Sequence, residues 1–272
     1  MQLPTDELEI VPTGDALGAE IRGVDLAQPL SPDMITRLRQ AVCRHVVVIF
    51  PDQSLSESEQ VRFSGYFGKP AQHVRKQGHA IKELFIISNV QVNGQSVGEL
   101  GNYELVYHSD CSYLHLPCIF GTLYAVEATQ TGGETVFCNC YAAYETLDPA
   151  LKARLKGLYA VHRHPKDHHN PPEPATHPMV CTHPETGRKC LYVSPAYTKY
   201  VVGLPEGESR ELLDTLFAHM LQPRFLWMHK WRDRDLLLWD NLPSMHHREP
   251  FPNTQRRILR RTQIYSERPF TE

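Results

Sequence analysis

One short segment of the sequence, VYHSDCSYLHLPCIF at residues 106–120, contains two ionisable side chains in an apolar and aromatic context. His108 and Asp110 are separated by a single residue, and residues i and i+2 of an extended chain point to the same side. A carboxylate buried in such a context is costly unless a partner compensates its charge. The spacing therefore indicates a pair that binds a metal ion, and a plain His–Asp hydrogen bond or a polar surface is the alternative.

A histidine much later in the chain offers a third ligand. The segment LLLWDNLPSMHHREPFPNTQRRILRRTQI has a histidine in a polar turn after an apolar strand, and two arginine pairs follow. Two histidines and one carboxylate on one side of an ion leave its other coordination positions open, which suits non-haem Fe(II). Side chains so distant in sequence need a rigid sheet scaffold to meet, and a β-barrel provides one.

The elements that would position these residues are many short strands and a few helices. Helical patterns cover residues 32–45, 54–68, 141–158 and 207–221; the first two are capped by serines, and Gly68 is expected to end the second. β-Branched and apolar runs at 46–50, 83–90, 108–140, 225–241 and 254–265 predict strands, and residues 162–190 lack a period and predict a long loop. The pattern favours an α+β protein built around an antiparallel barrel or sandwich.

The composition limits the function. The chain has 272 residues, of which 41% are hydrophobic, so we expect a single domain over residues 1–272 with a sizeable core. A formal net charge of −3 gives no reason to expect nucleic acid as a partner, and no apolar run is long enough to span a membrane. The start of the chain does not read as a secretory signal, and seven cysteines in no obvious framework predict reduced thiols in the cytoplasm.

Six segments together resemble a known family, the taurine and 2,4-dichlorophenoxyacetate dioxygenases, which depend on Fe(II) and 2-oxoglutarate. The segments cover nearly the whole chain: GAEIRGVDLAQPLS, HVVVIFPDQSLSESEQVRFSGYFG, YHSDCSY, TGGETVFCNCYAAYETL, WDNLPSMHH and QRRILRRTQI. The resemblance implies a double-stranded β-helix, which is a jelly-roll or cupin-like barrel, with helices packed on one side. It also implies a homo-oligomer, either a dimer or a tetramer.

The resemblance implies the metal ligands residue by residue. They are His108, Asp110 and His246, because the family places its second histidine after Trp-Asp-Asn and four further residues. The neighbouring His247 remains an alternative to His246.

The resemblance also implies the binding residues. Thr135 and Arg257 would hold the distal carboxylate of 2-oxoglutarate, for which a hydroxyl and a planar guanidinium are suitable donors. Arg261, four residues after Arg257, would bind an anionic group of the primary substrate, and His73 matches a position that contacts substrate. Arg256 and Arg260 would face the other way, toward solvent.

The expected function is that of a dioxygenase that uses Fe(II), 2-oxoglutarate and O2. It would oxidise an unactivated C–H bond of a small to medium organic anion, such as a sulfonate, an aryloxy or other carboxylic acid, or an amino-acid derivative, and release succinate and CO2. Because Asp110 supplies the carboxylate ligand, no coordination position is left for a halide, and hydroxylation, desaturation or oxidative cleavage is favoured over halogenation.

Three other readings remain open at the level of sequence. A zinc hydrolase could use the same three ligands, and a catalytically silent cupin-like protein could use the same barrel for binding. The histidines of the loop at 162–190, namely His162, His164, His168 and His169, either belong to a lid over the active site or form a second metal site.

Overall fold

The structure is a computed structural model and describes residues 8–72 and 80–272. The strands in this part of the chain are β1 (Glu9–Pro12), β2 (Ala19–Arg22), β3 (Val47–Phe50), β4 (Phe85–Ser88), β5 (Gln91–Val92), β6 (Gln95–Ser96), β7 (Glu99–Leu100), β8 (Leu105–His108), β9 (Cys118–Glu127), β10 (Thr135–Asn139), β11 (Tyr159–His162), β12 (Ala175–Pro178), β13 (Val180–Thr182), β14 (Lys189–Leu191), β15 (Thr198–Val201), β16 (Leu226–His229), β17 (Leu236–Asp240), β18 (Ser244–Arg248) and β19 (Ile258–Tyr265). The helices are α1 (Pro32–His45), α2 (Glu57–Gly65), α3 (Cys140–Glu145), α4 (Pro149–Leu155) and α5 (Glu206–Met220).

Two mostly antiparallel sheets form the centre of the fold. The larger sheet has the order β1-β2-β3-β17-β9-β19-β4-β7, and the smaller one has the order β16-β10-β18-β8. One hydrophobic core includes buried residues from both sheets, for example Phe137 of the smaller sheet and Leu123 and Trp239 of the larger. The two sheets therefore share an apolar interior, and the short strand ends at its edge are available for polar side chains.

Helices α1 and α2 cover the outer side of the larger sheet. A second core joins Leu38 of α1 and Phe63 of α2 to Val48, Phe50 and Phe120 of the sheet. Both helices begin as the sequence predicts: the Ser31 and Ser56 side chains accept hydrogen bonds from the backbone N–H groups of the first turn. Within the described residues, no helix combines the length and the apolar character needed to cross a bilayer.

Four details differ from the sequence-based expectations. Helix α2 ends at Gly65, since the chain has already turned before Gly68, which has a φ of +141°. The single helix expected at 141–158 is two helices, because Asp148 caps a new one that starts at Pro149. The expected loop at 162–190 contains β12, β13 and β14, whose short lengths give no readable period.

The fourth difference concerns Arg260, which is only 8% exposed and does not face solvent. Its guanidinium donates to the Leu55 carbonyl at 2.6 Å and lies over the Tyr124 ring. Helix α2 packs against β19 at this point, and Gln60 of α2 donates to the Arg260 carbonyl at 2.8 Å, which explains the burial of Arg260. Arg256, in contrast, is exposed and pairs with Glu127 as an outward residue should.

Gly121 allows the indole of Trp239 to lie flat against the larger sheet. The two residues are paired in the register of β9 and β17, and a Cβ on Gly121 would lie 2.2 Å from the indole. Gly121→Ala should therefore lower the free energy of unfolding by about 1–3 kcal/mol, the usual cost of overpacking. Urea denaturation measures this change.

Gly207→Ala is the matched control, because no atom lies within 4 Å of the added Cβ and the residue is in helix α5. It should leave stability unchanged or raise it by up to about 1 kcal/mol. Equal destabilisation by both substitutions would contradict this account of the packing.

Candidate metal centre

The pairing of β8 with β18 brings two histidines face to face. His246 is the direct partner of His108 in the antiparallel register, and the regular register is lost between His246 and Arg248. The two imidazole centroids are 4.4 Å apart. The ring of His246 also contacts the rings of Phe137 and Trp239, both at 5.4 Å, so the core fixes its orientation.

Asp110 lies in the turn that follows β8 and not in the strand itself. Its side chain still points to the same side as that of His108, as predicted, with His108 Nε2 3.6 Å from Asp110 Oδ1. The buried Asn241 side chain holds its backbone: the Asn241 amide accepts from the Asp110 N–H at 2.9 Å and donates to the Asp110 carbonyl at 3.0 Å. Asn241 also donates to the Cys118 carbonyl at 2.8 Å. Asp110 is thereby fixed although it is outside a strand, and the next residue, Cys111, has a φ of +58°.

Ligand atoms of His108, Asp110 and His246 all lie within 4.8 Å of one another, which is close enough for one ion to bind all three. His108 Nδ1 is 2.7 Å from the Val106 carbonyl. A carbonyl only accepts, so Nδ1 carries the proton and Nε2 keeps its lone pair, as in most metal-binding histidines. Nδ1 of His246 is buried without a hydrogen-bond partner.

Electrostatics favour a cation at this point. Burial alone would raise the pKa of Asp110, but the Arg261 guanidinium and His108 hold it well below its usual range. Burial, together with the neighbouring His108, lowers the pKa of His246 to about 3. The group therefore offers a carboxylate and a neutral His246 imidazole at neutral pH, which are the protonation states that a metal needs.

A second group in the described residues, Cys43, His183 and Asp240, also has ligand atoms within 4.8 Å of one another. Here His183 Nδ1 accepts the backbone N–H groups of Glu185 and Thr186, both at 3.2 Å. The proton of the neutral ring is therefore on Nε2, which faces Asp240 at 2.8 Å. A metal on Nε2 would have to displace that proton, because Nδ1 is already occupied as an acceptor. We therefore interpret this group as a buried His–Asp pair.

The prediction also named His247, as an alternative ligand, and His73. His247 points away from the three ligands: its ring stacks on Tyr107 at 4.1 Å, and Nε2 is 3.6 Å from Glu249. Successive side chains of a strand alternate in direction, which explains why His246 and not His247 approaches His108. His73, predicted to contact substrate, lies outside the described residues.

Thr135 and Arg257 are both neighbours of the Trp231 indole. Trp231 Nε1 donates to Thr135 Oγ1 at 3.0 Å, and Arg257 Cζ is 6.0 Å from the centre of the Trp231 ring. Arg257 is 2% exposed and donates one N–H to the Gly133 carbonyl at 3.1 Å, and its Nε has no partner among the described residues. Burial lowers its pKa to about 9. A buried guanidinium in this state is stabilised by an incoming carboxylate.

Gly133 keeps space free beside this guanidinium. A Cβ at Gly133 would lie 3.2 Å from Arg257 Nε and 3.0 Å from Thr129 Oγ1, and Gly133 has a φ of +75°. The glycine therefore leaves space beside Arg257 Nε. Gly133, Arg257 and Thr135 together are called the cradle below.

The distance between the cradle and the three ligands can be obtained from strand geometry. Phe137 is paired with His246 across β10 and β18, and Thr135 is two residues before Phe137 on the same face. Two residues of a strand span about 7 Å. This separation matches the reach of a five-carbon acid with one end at the ligands and the other at Thr135.

Arg261 is beside the ligands and not at the cradle. Its Nη1 is 3.1 and 3.2 Å from the two carboxylate oxygens of Asp110, and its guanidinium lies over the Phe85 ring. Its Nε is buried and has no hydrogen-bond partner within residues 8–72 and 80–272. Arg257 and Arg261 therefore offer cationic groups at two different places in the interior.

Three of the four histidines at 162–169 are neighbours: the ring centroid of His169 is 4.5 Å from that of His164 and 4.2 Å from that of His168. His162 is buried and contacts the Ser112 hydroxyl at 3.1 Å, and His168 packs on His169. Among the described residues these side chains do not form a group with metal-binding spacing. His164 also packs against two tyrosines, Tyr113 and Tyr197.

Three half-buried rings, those of Tyr113, His164 and Tyr197, form an aromatic group beside His108. The ring centroids of Tyr113 and Tyr197 are 5.1 Å apart, and Tyr197 is 5.6 Å from His108. His164 is 5.0 Å from Tyr113 and 5.4 Å from Tyr197.

Reasoning from sequence did not identify Asn241 or Trp231 as site residues. The Trp-Asp-Asn motif carried a signal for Asn241, because a buried amide needs partners. Trp231 was indistinguishable from a core tryptophan, since its partner Thr135 is remote in sequence.

Comparison with known proteins identifies the family. The family model described as "Taurine catabolism dioxygenase TauD, TfdA family" matches residues 9–263. The chain belongs to this TauD/TfdA family. The resemblance noted in the sequence is therefore confirmed. The chain is also 30% identical over 273 residues to an alpha-ketoglutarate-dependent 2,4-dichlorophenoxyacetate dioxygenase of Burkholderia sp. (strain RASC), with 92% of this chain and 91% of the relative covered.

Solved structures of TauD/TfdA-like proteins confirm the jelly-roll fold. A taurine dioxygenase from Burkholderia xenovorans superposes with a TM-score of 0.84 at 33% identity, covering 98% of this chain and 91% of the other. A crystal structure of AAD-2 in complex with Mn(II) and N-oxalylglycine also has a TM-score of 0.84, at 28% identity, covering 98% of this chain and 99% of the other.

The two adjacent histidines of this TauD/TfdA protein give a matched test of the metal centre. His246→Gln should weaken Fe(II) binding more than about 100-fold, because a ligand is lost, whereas His247→Gln should leave it unchanged. Anaerobic Fe(II) titration measures both affinities. Equal loss in the two variants, or an Fe(II) affinity that depends on Cys43 and not on His246, would contradict the assignment.

Proposed function

We propose that the protein is an Fe(II)- and 2-oxoglutarate-dependent dioxygenase that oxidises an unactivated C–H bond of a small to medium organic anion. The observation that supports this function best is a combination. Two histidines and a carboxylate converge at one point, Thr135 lies two strand residues away from the level of His246, and the buried guanidinium of Arg257 is near the same tryptophan as Thr135. Membership of the TauD/TfdA family supports the same reaction class.

The residues divide the work as follows. His108, Asp110 and His246 hold the metal on one side and leave its other positions open. Thr135 and Arg257 bind the distal carboxylate of 2-oxoglutarate. Iron with 2-oxoglutarate and O2 supplies the oxidising chemistry, by which R–H becomes R–OH while 2-oxoglutarate becomes succinate and CO2. The protein orients the reactants and excludes water from the buried site.

Arg261 and the aromatic group are the proposed substrate contacts. Arg261 lies beside Asp110 and retains an unpartnered Nε, so it can bind a sulfonate, sulfate ester or carboxylate close to the iron. Tyr113, His164 and Tyr197 would pack on the organic part of that anion. The partner is therefore a small organic anion, with hydroxylation as the simplest outcome and desaturation or cleavage as further ones.

The two alternative functions account for fewer residues. A zinc hydrolase would use the same three ligands but would leave Arg257 and the cradle at Gly133 without a ligand. A cupin-like binding protein without catalysis would not need a complete ligand set in which the His108 tautomer leaves Nε2 free for a metal. Both alternatives also depart from the activity that the related dioxygenases have in their names.

We also propose a cytoplasmic location and a homo-oligomeric state, either dimer or tetramer. All seven cysteines are free and buried, which suits a reducing compartment. The oligomer rests on the resemblance to the family, and light scattering after size-exclusion chromatography tests it. A monomer at micromolar concentration would refute this part of the proposal.

The cofactor assignment has a direct test. Adding 2-oxoglutarate to the Fe(II)-loaded protein without oxygen should produce the weak visible charge-transfer band of chelated iron. The Arg257→Ala variant should need a much higher 2-oxoglutarate concentration, because it loses a charged hydrogen bond. With oxygen, a screen of alkyl sulfonates, sulfate esters and aryloxyacetates should reveal succinate release that depends on the anion. Turnover with zinc and without 2-oxoglutarate would favour the hydrolase instead.

Arg261→Ala tests the proposed substrate contact. It should raise the apparent binding constant of the best anion from that screen far more than that of 2-oxoglutarate. Both constants are measured at saturating Fe(II), because Arg261 also pairs with Asp110. Arg256→Ala is the matched control: this arginine belongs to the same Arg-rich run but pairs with Glu127 outside the site. Equal effects of Arg261→Ala on both binding constants would show that Arg257 and Arg261 do not have separate roles.

A further inference from the structure

The hydroxyl oxygen of Thr135 accepts a hydrogen bond from Trp231. The indole N–H of Trp231 donates to Thr135 Oγ1 at 3.0 Å, and both side chains are buried. An indole has a donor and no acceptor, so this hydrogen bond has only one possible direction. Among the described residues, the Thr135 hydroxyl makes no other hydrogen bond. Its own proton is therefore available to another acceptor.

Trp231 is held firmly enough to impose this direction. Its ring meets the His229 ring edge to face at 4.6 Å, and His229 Nε2 is 3.3 Å from Asp235. His229 is itself the strand partner of Thr135 between β16 and β10. The face of the same indole is directed at Arg257, 6.0 Å from its centre. Trp231 therefore contacts both donors of the cradle: Thr135 through its N–H and Arg257 through its ring.

We propose that Trp231 is a positioning residue that presents the Thr135 hydroxyl as a donor to the distal carboxylate of the co-substrate. The proposal rests on the proposed function, because it assumes that this carboxylate lies at Thr135 and Arg257. Because the indole N–H already occupies one lone pair of Thr135 Oγ1, the hydroxyl proton is free to be donated, which favours an anion over a neutral group at this place. Trp231 should therefore contribute to the selection of 2-oxoglutarate over 2-oxo acids that lack a second carboxylate.

Two ligands and one substitution test this role. Trp231→Phe keeps an aromatic ring beside Arg257 and removes the N–H. Anaerobic titration of the Fe(II) protein gives dissociation constants from the chelate band for 2-oxoglutarate and for 2-oxobutyrate, which has the same chelating end and no distal carboxylate. The constant for 2-oxoglutarate should rise about tenfold, and that for 2-oxobutyrate should stay the same.

A second variant keeps the test independent of how well Trp231→Phe folds. Thr135→Val removes the hydroxyl and should give a similar loss for 2-oxoglutarate alone. The double variant should then be no worse than Thr135→Val, because both changes remove one interaction. Additive losses, an unchanged preference in Trp231→Phe, or equal weakening of both ligands would overturn the proposal.

Failure of the proposed function would look different. In that case the wild-type protein would not bind 2-oxoglutarate more tightly than 2-oxobutyrate, and Arg257→Ala would change neither constant. If the wild type shows an Arg257-dependent preference that Trp231→Phe leaves intact, only the role of Trp231 is refuted.

Discussion

The pairing of His108 with His246 across two antiparallel strands is the constraint on which the site depends. Directly opposed residues place the two imidazoles 4.4 Å apart in a largely apolar interior. Two protonated imidazoles at that distance would repel each other strongly, so the arrangement is stable with neutral rings or with a shared cation. Asp110 supplies the negative charge, and the Asn241 amide fixes the backbone that presents it. A shift of one residue in this register would turn His246 away from the interior.

The same smaller sheet also sets the scale of the co-substrate site. Thr135 and His246 are on neighbouring strands, so their separation follows from the rise of a β-strand and not from a mobile loop. Arg257 lies just before β19, where Asn89 accepts its backbone N–H at 3.0 Å. The burial of an unpaired guanidinium costs free energy in the absence of a ligand. A bound carboxylate would offset this free-energy cost better than a neutral group would, so the site would select ligands that carry a second carboxylate.

Much of this arrangement could be predicted from the sequence. The i, i+2 spacing of His108 and Asp110 and the serine caps of α1 and α2 are local signals, and each has a local physical cause. The convergence of His246 was expected from motif resemblance, since periodicity alone says nothing about which distant strands pair. The roles of Asn241 and Trp231, the burial of Arg260 and the strands within 162–190 depend on tertiary contacts. No local pattern distinguishes a tryptophan that directs a hydroxyl from one that fills a core.

The most direct test of the metal centre is anomalous diffraction at the iron edge from crystals grown without oxygen in the presence of Fe(II) and N-oxalylglycine. The account predicts one strong peak per chain, bonded to His108, Asp110 and His246, with the distal carboxylate of N-oxalylglycine at Arg257 and Thr135. A peak at Cys43, His183 and Asp240 instead, or the His246 ring turned away from His108 with no peak between them, would contradict it.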